Sequence, residues 1–213
     1  MSPSPYVILE KNHEDYQSIL VRNNAWQQTF LQNSLDLSFR QQQTNLGVSI
    51  GFIQSLQTLG MANLLEAPAQ YRIHRAFIHG SDHKPPHPDN IPDLMDDMVV
   101  TSDFGWRTWR ATYLGAYLLW RTTWIHPYDD GNGRIARALC HYGTFRKLNS
   151  PPPPGFSLIH HITTNYPRYY AGLDHANVIR KQIFPELRHT RHPHHDLGPL
   201  EDMLVDYLEL SIK

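Results

Sequence analysis

The chain is predicted to be mainly α, a helical bundle carrying one small β-hairpin flap. Two observations predict this. Apolar residues recur every three or four positions along most of the 213 residues, with Pro- and Gly-rich breaks between the runs. Only the stretch from Tyr71 to His83 reads as a short hairpin, closed by the turn signal Gly80-Ser81-Asp82-His83. The expected organisation is an N-terminal arm with helices (residues 1–69) packing on a core of residues 70–213, the two forming one structural unit.

The first ten residues hold two Ser-Pro pairs and predict an extended arm. From Asn12 to Gln43, Ile19, Trp26, Phe30, Leu31 and Leu35 fall at helical spacing within a polar background, which predicts one or two short amphipathic helices. A second run covers Val48 to Leu65, with Ile50, Ile53, Leu56 and Leu59 on one side, Gly60 as a weak point and Ala67-Pro68 as its end. After the flap, Lys84-Pro85-Pro86-His87-Pro88 forbids a helix. Ile91-Pro92-Asp93 then starts one, expected to reach Thr101.

From Trp106 to Ile125 the pattern is strong. Trp109, Tyr113, Ala116, Tyr117, Trp120 and Trp124 recur over twenty Pro-free residues, which predicts one helix about 30 Å long whose aromatic stripe is core. Pro127 and two glycines break it. Ile135, Ala138, Leu139, Tyr142 and Phe145 mark the next helix, ending near Asn149, and Ser150 with four prolines makes a stiff connector. Phe156 to Ile183 reads as helix broken at Pro167. The histidine-rich segment Arg188 to His195 reads as a solvated loop rather than a metal site, because no paired helical spacing is present. The last helix is expected over Pro199 to Leu210.

Composition excludes several function classes. A net charge of −1 supplies no field for nucleic acid or an anionic membrane. The one cysteine, Cys140, forms no internal disulfide and lies in an apolar helical pattern, so it reads as a buried, inert thiol. No signal-peptide pattern or membrane-length apolar run is visible. A soluble, cytoplasmic protein is expected, with delivery as a secreted effector left open.

The chemistry concentrates in His126 to Arg137, HPYDDGNGRIAR. Gly131 and Gly133 flank Asn132 at a loop-to-helix junction, where small residues let free N–H groups approach an anion. Arg134 and Arg137, three apart, lie on one face of the first turn, an end where a structural helix prefers acids. That placement points to a phosphorylated ligand. Asp130 is the candidate Mg²⁺ ligand and Asp129 the second choice, since Mg²⁺ takes one or two carboxylates and completes its shell with phosphate oxygens and water. His126 ends the preceding helix and, titrating near neutrality, can accept a proton from an attacking hydroxyl. Tyr128 is expected to anchor the loop in the core. The aspartate spacing excludes an EF-hand, and the missing Lys-Ser/Thr excludes a P-loop.

On these residues the chain resembles the Fic domain family, whose motif reads H-x-F-x-[D/E]-G-N-G-R-x-x-R. Every motif position matches except Tyr128, which keeps the aromatic character of Phe. The resemblance extends over residues 70–210: Tyr71-Arg72 to Pro86 is similar to the family's target-binding flap, and Tyr169-Tyr170-Ala-Gly-Leu173 with Asn177 to its nucleotide-contact helix. It implies a Fic-fold helical bundle and transfer of AMP from ATP to a Tyr, Thr or Ser hydroxyl of a target protein, with release of pyrophosphate. It further implies His126 as base, Asp130 on Mg²⁺, Gly131, Asn132 and Gly133 as anion hole, and Arg134 and Arg137 on the β- and γ-phosphates. Tyr170 and Asn177 would touch ribose or adenine, and Ser81, Asp82, His83 and Lys84 would form the target-binding flap. ATP and a target protein are the implied partners, with nucleic acid and membrane excluded.

Many members of the family carry an inhibitory helix with the motif [S/T]-x-x-x-E-[G/N], whose Glu pairs with the second arginine. None of Glu10, Glu14, Glu66, Glu186, Glu201 and Glu209 stands in that frame. Restraint would then come from a separate antitoxin chain, from a divergent Glu, or not at all. A Doc-like protein kinase is the second enzymatic reading, and Gly133, where those relatives carry lysine, argues against it. Transfer of another phosphate-containing group and a non-enzymatic interaction module complete the alternatives.

Overall fold

Eight α-helices lie within the described residues, which are 7–40, 47–183 and 196–211, without the side chains of 181–183; the structure is a computed structural model. The histidine-rich segment 188–195 lies outside them. In order, the helices are α1 (Tyr16–Arg40), α2 (Ile50–Met61), α3 (Ile91–Thr108), α4 (Ala111–Ile125), α5 (Asn132–Leu148), α6 (Leu158–Thr164), α7 (Tyr166–Ile183) and α8 (Gly198–Leu210). No described helix is long and apolar enough to cross a membrane.

α4 and α5 form the central hairpin, and the loop between them carries residues 126–131. α4 is buried nearly all round, from Leu114 to Ile125. The two helices approach closely because Gly115 has no side chain: a Cβ there would stand 2.1 Å from Thr144 Oγ1 and 3.4 Å from the Cys140 carbonyl oxygen. Tyr117 and Trp120 are buried in the core, as the aromatic stripe predicts. Burial also pushes the Cys140 thiol up to about 12, so it is inert at neutral pH. α1 and α2 pack on one side of α5, α3 on α4, and α7 and α8 on one another and on α4.

Three sequence expectations are corrected. Residues 12–43 hold one 25-residue helix rather than short pieces. It is kept whole by tertiary anchors: buried Asn23 donates to the Ala62 carbonyl at 2.7 Å, and Gln27 to the Leu56 carbonyl at 2.9 Å.

The single helix expected over Trp106–Ile125 is divided. α3 runs on to Thr108, and Trp109 and Arg110 are extended before α4 begins. Trp109 folds back over Gly105, its N–H closing α3 on the Gly105 carbonyl at 2.8 Å, and its ring meets Tyr113 and Tyr117 edge-on. Arg110 and Thr112 both bond Glu201 of α8, at 2.9 and 2.7 Å. The apolar spacing runs through the break because both helices bury a face on the same core.

The flap is not a β-hairpin among the described residues. Residues 71–87 run without a strand ladder and turn at Ile78–Ser81, with Gly80 at φ +75°. Pro85 and Pro86 have no N–H to give a ladder. The Arg72 guanidinium ties the two arms instead, donating to the carbonyls of His74 and Pro86, each at 2.7 Å.

Candidate active site

The α4–α5 loop is shaped by its own atoms. His126 caps α4 in the left-handed region, φ 51° and ψ 58°. Asn132 folds its amide back on Tyr128, accepting from the Tyr128 N–H at 2.9 Å and donating to its carbonyl at 2.8 Å. This locks the turn and commits the Asn132 side chain, leaving its backbone N–H for a ligand. Tyr128 is buried against Tyr71, and its hydroxyl has no hydrogen-bond partner among the described residues.

Gly131 is the α5 N-cap with φ +84°. A Cβ there would meet Gln57 Oε1 at 2.9 Å and Met61 at 3.1 Å, so α2 presses directly on the turn. Gln57 also donates to the Asp130 carbonyl at 2.8 Å.

The first turn of α5 contains no acid. Among the described residues, the N–H groups of Asn132 and Gly133 make no hydrogen bond, whereas the Gly131 N–H is taken by Asp130 Oδ1 at 2.7 Å. Arg137 folds over this end: its Nη1 lies 3.2 Å from where a Gly133 Cβ would be, so any side chain at 133 would crowd the guanidinium. None of the described ion pairs includes Arg137, and its Nε has no hydrogen-bond partner. Free amides, the helix dipole and an unneutralised guanidinium therefore converge on one spot, an arrangement suited to an anion.

Arg134 is placed differently. Its guanidinium donates to the Gly60 carbonyl at 2.8 Å and to Asn24 Oδ1 at 3.3 Å, joining α5 to α1 and α2.

The shifts of His126 and Asp130 bear on the chemistry. Burial pushes His126 down to about 4, with Arg72 and His83 adding to the effect, while the Thr123 carbonyl and Asp130 oppose it. The imidazole is thus neutral at pH 7 and able to take a proton. Burial alone would raise the Asp130 pKa. The Lys11 ammonium, the Gly131 N–H and Arg134 outweigh it and hold the carboxyl below its usual range.

Asp130 Oδ2 receives the Lys11 ammonium at 3.1 Å and the Tyr16 hydroxyl at 3.3 Å. A cation held on a charged carboxylate beside the anion site is an environment that suits Mg²⁺. No cluster of three or more His, Cys, Asp or Glu among the described residues is arranged for a metal. One carboxylate is the donor set expected when phosphate oxygens and water complete the shell.

A second group of predicted residues lines a cavity of about 180 Å³ between the flap and α7: Ser81 and His83 from the flap, Tyr170 and Asn177 from α7. His79, Trp124 and Asp174 complete its polar and aromatic wall. Trp120 donates its indole N–H to Asn177 Oδ1 at 3.0 Å, which leaves the Asn177 amide N–H₂ for a ligand. His83 is buried and tied to the Trp124 carbonyl at 2.8 Å, whereas Asp82 and Lys84 are exposed and do not line the cavity.

Sequence reading did not single out Lys11, Tyr16, Asn24 or Gln57, each tens of residues from the motif, and no local signal marks them. In the sequence Arg72 reads only as part of the flap. It is buried, and its Nε also donates to the His126 carbonyl at 2.7 Å, so flap and motif share one anchor. On α1, Ser18 and Asn23 stand in the inhibitory frame with Arg22 at the Glu position.

The model of the Fic/DOC family matches residues 47–143, which takes in α2, α3, α4 and most of α5. Over 86 residues the chain is 35% identical to the Protein adenylyltransferase Fic of Nematostella vectensis; this covers 39% of the chain and 19% of that relative, about a fifth of its length. Among solved structures, a Fic domain containing signaling protein from Bacteroides thetaiotaomicron superimposes with TM-score 0.65 at 18% identity, covering 96% of this chain and 75% of that one. Fic-1 from C. elegans gives TM-score 0.67 at 19% identity, covering 96% and 52%. At these identities the structures speak for the fold, and residues 47–143 of this chain match the model of the Fic/DOC family.

Proposed function

We propose that the chain transfers AMP from Mg²⁺-bound ATP to a Tyr, Thr or Ser hydroxyl of a target protein. The observation that carries this is the anion site at the start of α5, where the unpaired Arg137 guanidinium lies over Gly133 beside free N–H groups and one loop away from a neutral His126. A triphosphate chain held between that site and Asp130 would direct its α-phosphorus toward the His126 end of the loop. The name of the Nematostella relative supports adenylyl rather than phosphoryl transfer.

Each group then has a stated task. Arg137 and the Asn132 and Gly133 amides hold the phosphates, and their charge is most useful as the leaving pyrophosphate gains charge. Asp130 would hold Mg²⁺, which when bound neutralises phosphate oxygens. The cavity of Tyr170 and Asn177 would take the nucleoside. The target hydroxyl oxygen forms a bond to the α-phosphorus while the bond to the β-phosphate oxygen breaks. The hydroxyl proton passes to His126, and pyrophosphate leaves. Most of the rate gain is positioning plus charge stabilisation.

The test uses ATP labelled at the α- or the γ-phosphorus, incubated with the chain, Mg²⁺ and a protein lysate. The α-label should stay on protein and pyrophosphate should appear. Both should vanish in His126→Ala, which still binds ATP. Retention of the γ-label would establish a protein kinase instead, and unchanged α-labelling by His126→Ala would remove His126 as the base.

A further inference from the structure

Residues 7–15 cross the mouth of the motif loop as a strap. The N–H groups of Ile8 and Leu9 both donate to the Leu64 carbonyl, at 3.1 and 3.4 Å, and Val7 pairs antiparallel with Leu65. Val7, Leu9, Ile19 and Leu20 pack on Tyr16, Met61, Leu64 and Leu65, a small cluster separate from the main core. Between strap and loop lies a cavity of about 400 Å³, lined on its polar side by Glu10, Lys11, Asp129 and Asp130.

The strap delivers one charge to one atom: Lys11 Nζ stands 3.1 Å from Asp130 Oδ2. Asp130 Oδ1 is occupied by the Gly131 N–H, so Oδ2 is the oxygen left for a metal. We propose that Lys11 competes with the divalent cation for Asp130 Oδ2, so that the strap sets the Mg²⁺ concentration at which nucleotide binds. This rests on the nucleotidyl-transfer reading above.

The exchange is physically cheap. The Lys11 side chain is 73% exposed and has a four-carbon stem, so its head moves into water without disturbing the main core. A lysine, with one charge and no link to the phosphates, loses to a divalent ion shared between carboxylate and phosphate oxygens. Contacts of this exposure are weak, so the threshold moves about two- to fivefold rather than by orders of magnitude. The opposite role is also definable: a lysine that left Asp130 to grip the phosphates would aid binding with or without metal.

The experiment titrates Mg²⁺ against the full chain carrying His126→Ala, which prevents turnover, at a fixed concentration of fluorescent ATP read by anisotropy. Lys11→Met is added to the same background, with Lys11→Arg as the charge-conserving control and an EDTA arm for nucleotide alone. Melting temperatures confirm that all variants are folded. Competition lowers the half-saturating Mg²⁺ about two- to fivefold in Lys11→Met, leaves Lys11→Arg near the parent, and gives no gain under EDTA. An unchanged or raised Mg²⁺ requirement, or weaker binding in both arms, overturns the proposal and makes Lys11 neutral or a phosphate ligand. An equal gain in both arms overturns it in favour of simple steric obstruction. Failure of the parent to bind nucleotide at any Mg²⁺ concentration overturns the nucleotide reading and the proposal with it.

Discussion

The His126 imidazole is neutral at physiological pH because burial pushes its pKa from 6.5 to about 4. Its sequence position alone implies titration near neutrality, and the difference is desolvation of the charged form. The sign is definite. The active base is the unprotonated ring, which is present above the folded-state value and lost as pH falls through it. The kcat/KM of transfer is therefore expected to show no acid limb near 6.5 and to fall only towards pH 4, followed on material whose tryptophan fluorescence shows it folded. An acid limb at 6–7 would place His126 in water. At the same scale, Tyr128 buries a hydroxyl without a partner where the family motif has Phe. The ring is what the loop needs from that position.

At the scale of elements, the flap is held by a side chain where a hairpin would use a ladder. Arg72 bonds the carbonyls of His74, Pro86 and His126, and its backbone N–H donates to Pro127 at 2.9 Å. Replacing it with methionine keeps much of the apolar stem and leaves three carbonyls without this donor. Charge-assisted bonds of this kind contribute about 1.5–3 kcal/mol each, not additively. Arg72→Met is expected to cost about 3 kcal/mol or more in urea unfolding. It should also raise the KM for the target more than that for ATP, because the flap loses its fixed base while the anion site stays. An unchanged unfolding midpoint would show that the carbonyls find other donors. The division between α3 and α4 has the same kind of cause: residues 109–112 are set by Gly105 and Glu201, not by their own helical preference.

At the scale of the whole molecule, α1 brings residues more than a hundred positions from the motif into the site. Tyr16 reaches Asp130, and Asn24 accepts from Arg134. On the same helix Arg22 lies over Trp26, 4.6 Å from the ring centre, at the position where the family resemblance implies a carboxylate directed at the second arginine. A guanidinium there cannot neutralise Arg137. Arg22→Glu is expected to install that contact and lower transfer by roughly tenfold or more, equivalent to about 1.4 kcal/mol. The companion Arg22→Gln, lacking the charge, should have little effect. Equal rates for Arg22→Glu and the parent would show that α1 presents this position away from Arg137.

Residues 126–137 were legible because the groups that hold and attack a phosphate are contiguous, and a loop-to-helix junction brings them together through local geometry alone. Most helices were legible from their spacing because they bury one face, and α4, buried nearly all round, from its Pro-free apolar run. Where two helices share a core, the spacing runs through their break, so Thr108 and Ala111 could not be read as an end and a start. The sequence by itself determined a helical protein with a glycine-rich helix start suited to an anion. Tertiary structure decided the neutral state of His126, the ladder-free flap tied by Arg72, and the lysine on Asp130. Each of these depends on desolvation or on partners far apart in the chain, and neither leaves a local pattern.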